Sequence, residues 1–139
     1  MTILDTDCFS DILKGNVEYS RRFQAMPRTA RGVAIITVEE ILRGRLAIIR
    51  KFQSGGSQAR LQLSYGHFSR SVVAFFDLTM LPYNPAAHDI YLRLKSQKIR
   101  VGTQDLRIAS IALAHDATLI TRNCRDYELV PSLKLEVWN

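Results

Sequence analysis

At 139 residues the chain has the length of one domain, enough to bury about two-thirds of its unfolded surface, so a single core over residues 1–139 is expected. Nineteen basic side chains against thirteen acidic ones leave a formal charge of +6 and an isoelectric point near 9.7. That balance suits an anionic partner such as nucleic acid without selecting one, and a solvated positive face would explain it equally well. Cys8 and Cys124 lie far apart in sequence, with no Cys-x-x-Cys pair and no histidine beside either, so neither a zinc site nor a disulfide framework is indicated. The start of the chain has no basic segment followed by a long apolar one, and runs such as Val72-Val73-Ala74-Phe75-Phe76 are too short to cross a bilayer. A cytoplasmic chain without a membrane segment is the expectation.

Taken in order, short β-like runs alternate with helical stretches, the pattern of a parallel sheet covered by helices on both faces. Thr2-Ile3-Leu4 reads as the first strand. A short helix from about Cys8 to Leu13 is closed by Gly15, and another around Val17 to Met26 is stopped by Pro27. Val33-Ala34-Ile35-Ile36 is the second strand, and Thr37 opens a long helix with Ile41, Leu42, Ala47, Ile48 and Ile49 as its apolar stripe. Ser54-Gly55-Gly56-Ser57 is a hairpin loop before a helix from about Gln58 to Phe76, since neither side is large enough to stand alone. Thr79-Met80-Leu81-Pro82 gives a third strand and Ala86 to Gln97 a helix. The last third holds a helix from Gln104 to His115, a strand from Ala117 to Thr121, a polar turn through Asn123 to Asp126, and a closing strand from Lys134 to Val137. The fold class is therefore α/β, a single domain built on a mostly parallel twisted sheet of 4–5 strands.

Asp5, Glu40, Asp105 and Asp126 each stand where an apolar run gives way to a turn or helix. In a parallel sheet such run-ends share one edge, so acids remote in sequence can meet in one cleft, and a cleft of that kind calls for a metal ion. Each also has a purely structural reading. Thr37-Val38-Glu39-Glu40 forms a capping box, Asp105 sits in the first turn of a helix where the macrodipole favours an acid, and Asp126 follows Asn123 in a turn. Asp5 has no obvious capping duty. Capping explains each acid alone but not why the strands bring four of them to one edge.

These segments resemble a known family. Leu4-Asp5-Thr6-Asp7, Thr37-Val38-Glu39-Glu40-Ile41-Leu42-Arg43-Gly44, Asp105-Leu106-Arg107-Ile108-Ala109 and Thr121-Arg122-Asn123-Cys124-Arg125-Asp126-Tyr127 are similar, in order and spacing, to PIN-domain proteins of the VapC toxin type. The resemblance runs from residue 3 to Trp138. It implies a PIN-like fold and an endoribonuclease dependent on Mg²⁺ or Mn²⁺, with Asp5, Glu40 and Asp105 at the positions of the family's main metal-binding acids. Asn123 stands where the family places a fourth carboxylate, and Asp126 three residues on restores the charge. Hard carboxylate oxygens select such ions over soft metals. The resemblance also implies a cognate antitoxin and a homodimer formed through helices.

Thr6 and Thr121 flank the acids and suit hydrogen bonds to phosphate, or simply stabilise turns. Arg43, Arg107 and Arg122 lie near them in sequence and would give salt-sensitive, sequence-independent RNA contacts, unless they are only a solvated face. His67, His88 and His115 have no spacing suited to a metal or a triad. Tyr65, Phe68, Phe75 and Phe76 are expected in the core or a subunit contact. Two other functions compete. Ile3-Leu4-Asp5-Thr6-Asp7 is similar to the nucleophile turn of haloacid-dehalogenase-type phosphatases, but no lysine and late paired-acid turn accompany it. A catalytically silent binding module would keep the fold and basic surface, although the three main acids are all present.

Overall fold

The computed structural model describes residues 1–139. Its sheet is wholly parallel and five-stranded, in the order β3-β2-β1-β4-β5, with β1 at Thr2–Leu4, β2 at Arg31–Ala34, β3 at Thr79–Leu81, β4 at Thr118–Thr121 and β5 at Lys134–Val137. β1 pairs with both β2 and β4, in register Ile3 to Gly32 and Ile3 to Leu119. Side chains alternate between faces along each strand. Ile3, Ala34 and Leu119 therefore pack on one side, and Leu4, Val33 and Ile120 on the other.

The first side is covered by α5 (Pro85–Ser96), α6 (Thr103–Ala114) and the single turn α7 (Cys124–Tyr127). The second is covered by α1 (Thr6–Leu13), α2 (Val17–Gln24) and residues of α3 (Ile35–Gln53), with Phe75, just past α4 (Gln58–Ala74), stacked on Phe9 at 5.2 Å. Helices thus lie on both faces, as the sequence pattern requires of a parallel sheet.

The chain builds outward from β1 through β2 to β3, then returns to add β4 and β5 on the other flank. The order reverses between β1 and β4, and a crevice opens outside the carboxyl ends of strands at such a switch point. Asp5 follows β1 there, and Arg122 and Asn123 follow β4. The backbone amide of Asp5 donates to the Ile120 carbonyl at 2.9 Å, so the two strand ends are locked side by side.

Three local readings of the sequence are corrected. The second strand ends at Ala34, and α3 begins at Ile35 with Ala34 as an N-cap lacking any side-chain bond, so Thr37 lies inside the helix and forms no capping box with Glu40. Asp5 is itself a cap: its carboxylate accepts the Cys8 amide at 2.8 Å, and α1 starts at Thr6, two residues before the expected Cys8. The turn through Asn123 to Asp126 is mostly the helical turn α7. Among the aromatic residues of the α4 region, Phe75 is buried while Tyr65 and Phe76 are exposed, and Ile48 of the expected α3 stripe is also exposed.

Candidate functional site

Four segments meet at the switch point. Asp5, Thr6 and Asp7 come from the start of α1, Glu40 from the second turn of α3, Asp105 from the first turn of α6, and Asn123, Asp126 and Tyr127 from the end of β4 and α7. These eight residues line one cavity of about 220 Å³. Five of them are acids and none is a lysine or arginine.

Three of the acids are held by a neighbour. Asp5, 5% exposed, accepts the Cys8 amide on one oxygen and the Thr121 hydroxyl on the other at 2.5 Å. Thr121, fully buried, in turn accepts the Asn123 amide at 3.0 Å. Thr6 Oγ1 lies 2.7 Å from Glu40 Oε1 and 3.1 Å from Thr37 Oγ1. A hydroxyl has one proton, so Thr6 gives its own to the carboxylate and Thr37 supplies the other bond. That contact explains why α3 buries a threonine. The Asn123 side-chain amide donates to Asp126 at 3.3 Å, which ties the two residues of the fourth corner together.

The electrostatics follow from burial and crowding. Burial raises the Asp5 pKa above its ordinary value, against the pull of the Thr121 hydroxyl and the Cys8 amide. Asp105 is raised chiefly by burial and further by the charges of Glu40, Asp5 and Asp7, while Tyr127 works the other way. Burial, then the surrounding acids, pushes the Tyr127 phenol up. A divalent cation would reverse this strain by holding the carboxylates ionised.

In this arrangement no group of three or more His, Cys, Asp or Glu side chains is close enough to ligate a bare ion. The cavity between them has room for water, and Mg²⁺ dehydrates reluctantly and usually keeps several waters. Oxygen donors alone, five of them carboxylates, fit a hard, partly hydrated cation and no soft metal.

The five residues expected to serve the metal, Asp5, Glu40, Asp105, Asn123 and Asp126, all line the cavity. Thr6 lines it as well, and Thr121 stands directly behind Asp5. The three arginines stand outside the lining. Arg43 is paired with Glu39, Arg107 donates to Gln104 at 2.8 Å and lies over the Tyr91 ring, and Arg122 is paired with Asp11 at 2.7 Å. Gln104 also donates to Glu39 at 2.9 Å, so Arg43, Glu39, Gln104 and Arg107 form a polar chain joining α3 to α6 beside the acids. Asp7 and Tyr127 were not singled out from the sequence as site residues. The acid two places after Asp5 was a readable sign of the first, whereas an aromatic after Asp126 reads as core.

No family model matches the chain. Ribonuclease VapC2 of Rickettsia felis is 37% identical over 51 residues, a stretch covering 37% of this chain and 38% of that protein. Among solved structures, a chain of the DNA-bound VapBC of Salmonella typhimurium aligns over 100% of both chains with a TM-score of 0.81 at 21% identity. A chain of a toxin-antitoxin complex from Klebsiella pneumoniae aligns over 99% of this chain and 97% of its own, with a TM-score of 0.74 at 20% identity. At such identities the likeness establishes the fold. The PIN-like α/β architecture implied by the sequence motifs is the architecture present.

Proposed function

We propose that this PIN-fold chain is a metal-dependent endoribonuclease of the VapC toxin type, hydrolysing RNA phosphodiester bonds at the acidic cleft. One observation carries the reading: five carboxylates from four separate segments surround a single cavity at the topological switch point. Capping needs no such convergence. The 51-residue likeness to a ribonuclease and the shared fold support the same class.

Asp5, Glu40 and Asp105 are the residues assigned to hold Mg²⁺ or Mn²⁺, with Asn123 and Asp126 completing the fourth corner. Such an ion, when bound, supplies positive charge against a phosphodiester and makes an attacking water more acidic. The chain's own contribution is orientation. Thr121 and the α1 amide fix both Asp5 oxygens, and Thr6 fixes Glu40, so the carboxylates are presented without first being reorganised. Asp7 and Asp126 add negative field that draws a dication in and, without one, repels phosphate.

The phosphatase reading needs a lysine beside the aspartate, and none lines this cavity. A cognate antitoxin is assigned as partner, in keeping with the solved toxin-antitoxin complex of like fold. Exposed Leu46, Ile48, Leu63, Tyr65, Val73 and Phe76 on and beside the α3–α4 hairpin offer apolar surface for it or for a second subunit.

The test is incubation of the purified protein with total RNA, with Mn²⁺ or with EDTA, beside an Asp5→Asn variant. Cleavage by the parent with Mn²⁺ alone, and at least a hundredfold loss in the variant, is expected, in line with losses on removing a group that acts directly in catalysis. Cleavage by the Asp5 variant at the parental rate would sink the assignment, and RNA retention without cleavage would favour a binding module.

A further inference from the structure

The Tyr127 hydroxyl is buried in the wall of the acidic cavity and makes no hydrogen bond of normal geometry. The residue is 3% exposed, and its ring belongs to the same apolar cluster as Leu106 and Ile108 of α6. A buried phenol without a partner is costly, and an apolar wall would be served as well by phenylalanine. The groups around this oxygen are acceptors. Asp105 is the one it faces across the shared cavity wall. Toward carboxylates, which only accept, a phenol acts through its one proton as the donor.

We propose that Tyr127 is a positioning residue for the cation site, its hydroxyl donating to the Asp105 carboxylate and fixing which way the oxygens of that acid face. The inference rests on the reading of the cleft as a cation site. The other corners have such holders already: Thr121 for Asp5, Thr6 for Glu40 and Asn123 for Asp126. Asp105 has no other hydroxyl or amide partner, since α6 is capped by Gly102 without a side chain and Gln104 is turned to Glu39. Groups that orient a ligating carboxylate typically contribute 10–100-fold to metal affinity.

Calorimetric titration with MnCl₂ alone, without RNA, compares the parent, Tyr127→Phe and Tyr127→Leu. Phenylalanine keeps the ring contacts and removes only the oxygen. The expected result is Mn²⁺ binding weakened at least about tenfold in both variants, with the Phe variant as resistant to urea in EDTA as the parent or more so. RNA cleavage by the Phe variant should recover as Mn²⁺ is raised, because the defect lies in cation affinity. Parental Mn²⁺ affinity in Tyr127→Phe overturns the inference, as does a loss confined to Tyr127→Leu, which would make the ring the functional part. A parent that binds no Mn²⁺ overturns the cation-site reading itself, a failure separable from the other two.

Discussion

Asp5 and Asp105 are carboxylates held in a place that disfavours their charge, and that has a sign. Their folded-state pKa values lie above the ordinary carboxylate value, mainly through burial. Protonated, they favour the folded state. The contribution is fully present below the unfolded pKa and is lost as pH rises through the raised folded value. Glu18 and Asp116 are shifted downward but lie fully exposed, where solvent screens them, so they do not set the balance. In EDTA, Asp105→Asn, a neutral isostere, should therefore be at least as stable as the parent at pH 7, and the gap should close toward pH 4. Urea denaturation at the two pH values reads this directly. Added Mn²⁺ should stabilise the parent at pH 7 and leave the variant unmoved, whereas a parent more stable than the variant in EDTA at pH 7 would show that the acids are not under strain.

At the scale of elements, α1 and α3 show how far the sequence could be read. Strand ends at Leu4 and Thr121 were legible because an apolar run stops at a polar residue, and those ends bring Asp5 to the same edge as Asn123 and Asp126. The start of α3 was not. Ile35 and Ile36 are β-branched and follow a strand directly, and a short apolar run buried by a sheet looks alike whether it continues as strand or turns into helix. The misplacement by two residues turned Thr37 from an internal partner of Thr6 into an apparent cap. The start of α1, two residues earlier than the Cys8 expected, likewise makes Asp5 a helix cap. Which side chain holds which acid depends on contacts across 31 to 116 positions, such as Thr6 with Thr37 and Thr121 with Asp5, and local periodicity carries none of that information. The double role of Asp5 separates two substitutions. Asparagine can still cap a helix and alanine cannot, so Asp5→Ala should be about 1 kcal/mol less stable than Asp5→Asn by urea denaturation, with both inactive on RNA. Equal stability would remove the cap from the account.

For the molecule as a whole, the net charge and the cleft have opposite signs. The chain carries +6, yet its acidic cavity is lined by five carboxylates and no cation, and the nearby Arg43 and Arg122 are each already paired with an acid. On the proposed function, an RNA strand would be attracted by the net positive charge of the surface and repelled by the bare cleft, so the two contributions to binding are separable. The surface contribution is one of counterion release, in which log affinity falls linearly with log salt, by about 0.7 per phosphate neutralised on a single strand. With Asp105→Asn, which should not cleave, a short RNA should lose roughly tenfold or more in affinity between 50 and 200 mM salt, the response for about three phosphates engaged. Fluorescence anisotropy of a labelled oligonucleotide gives the slope. A flat response would place RNA recognition in uncharged contacts and leave the excess of basic residues as a solvated face without a part in substrate capture.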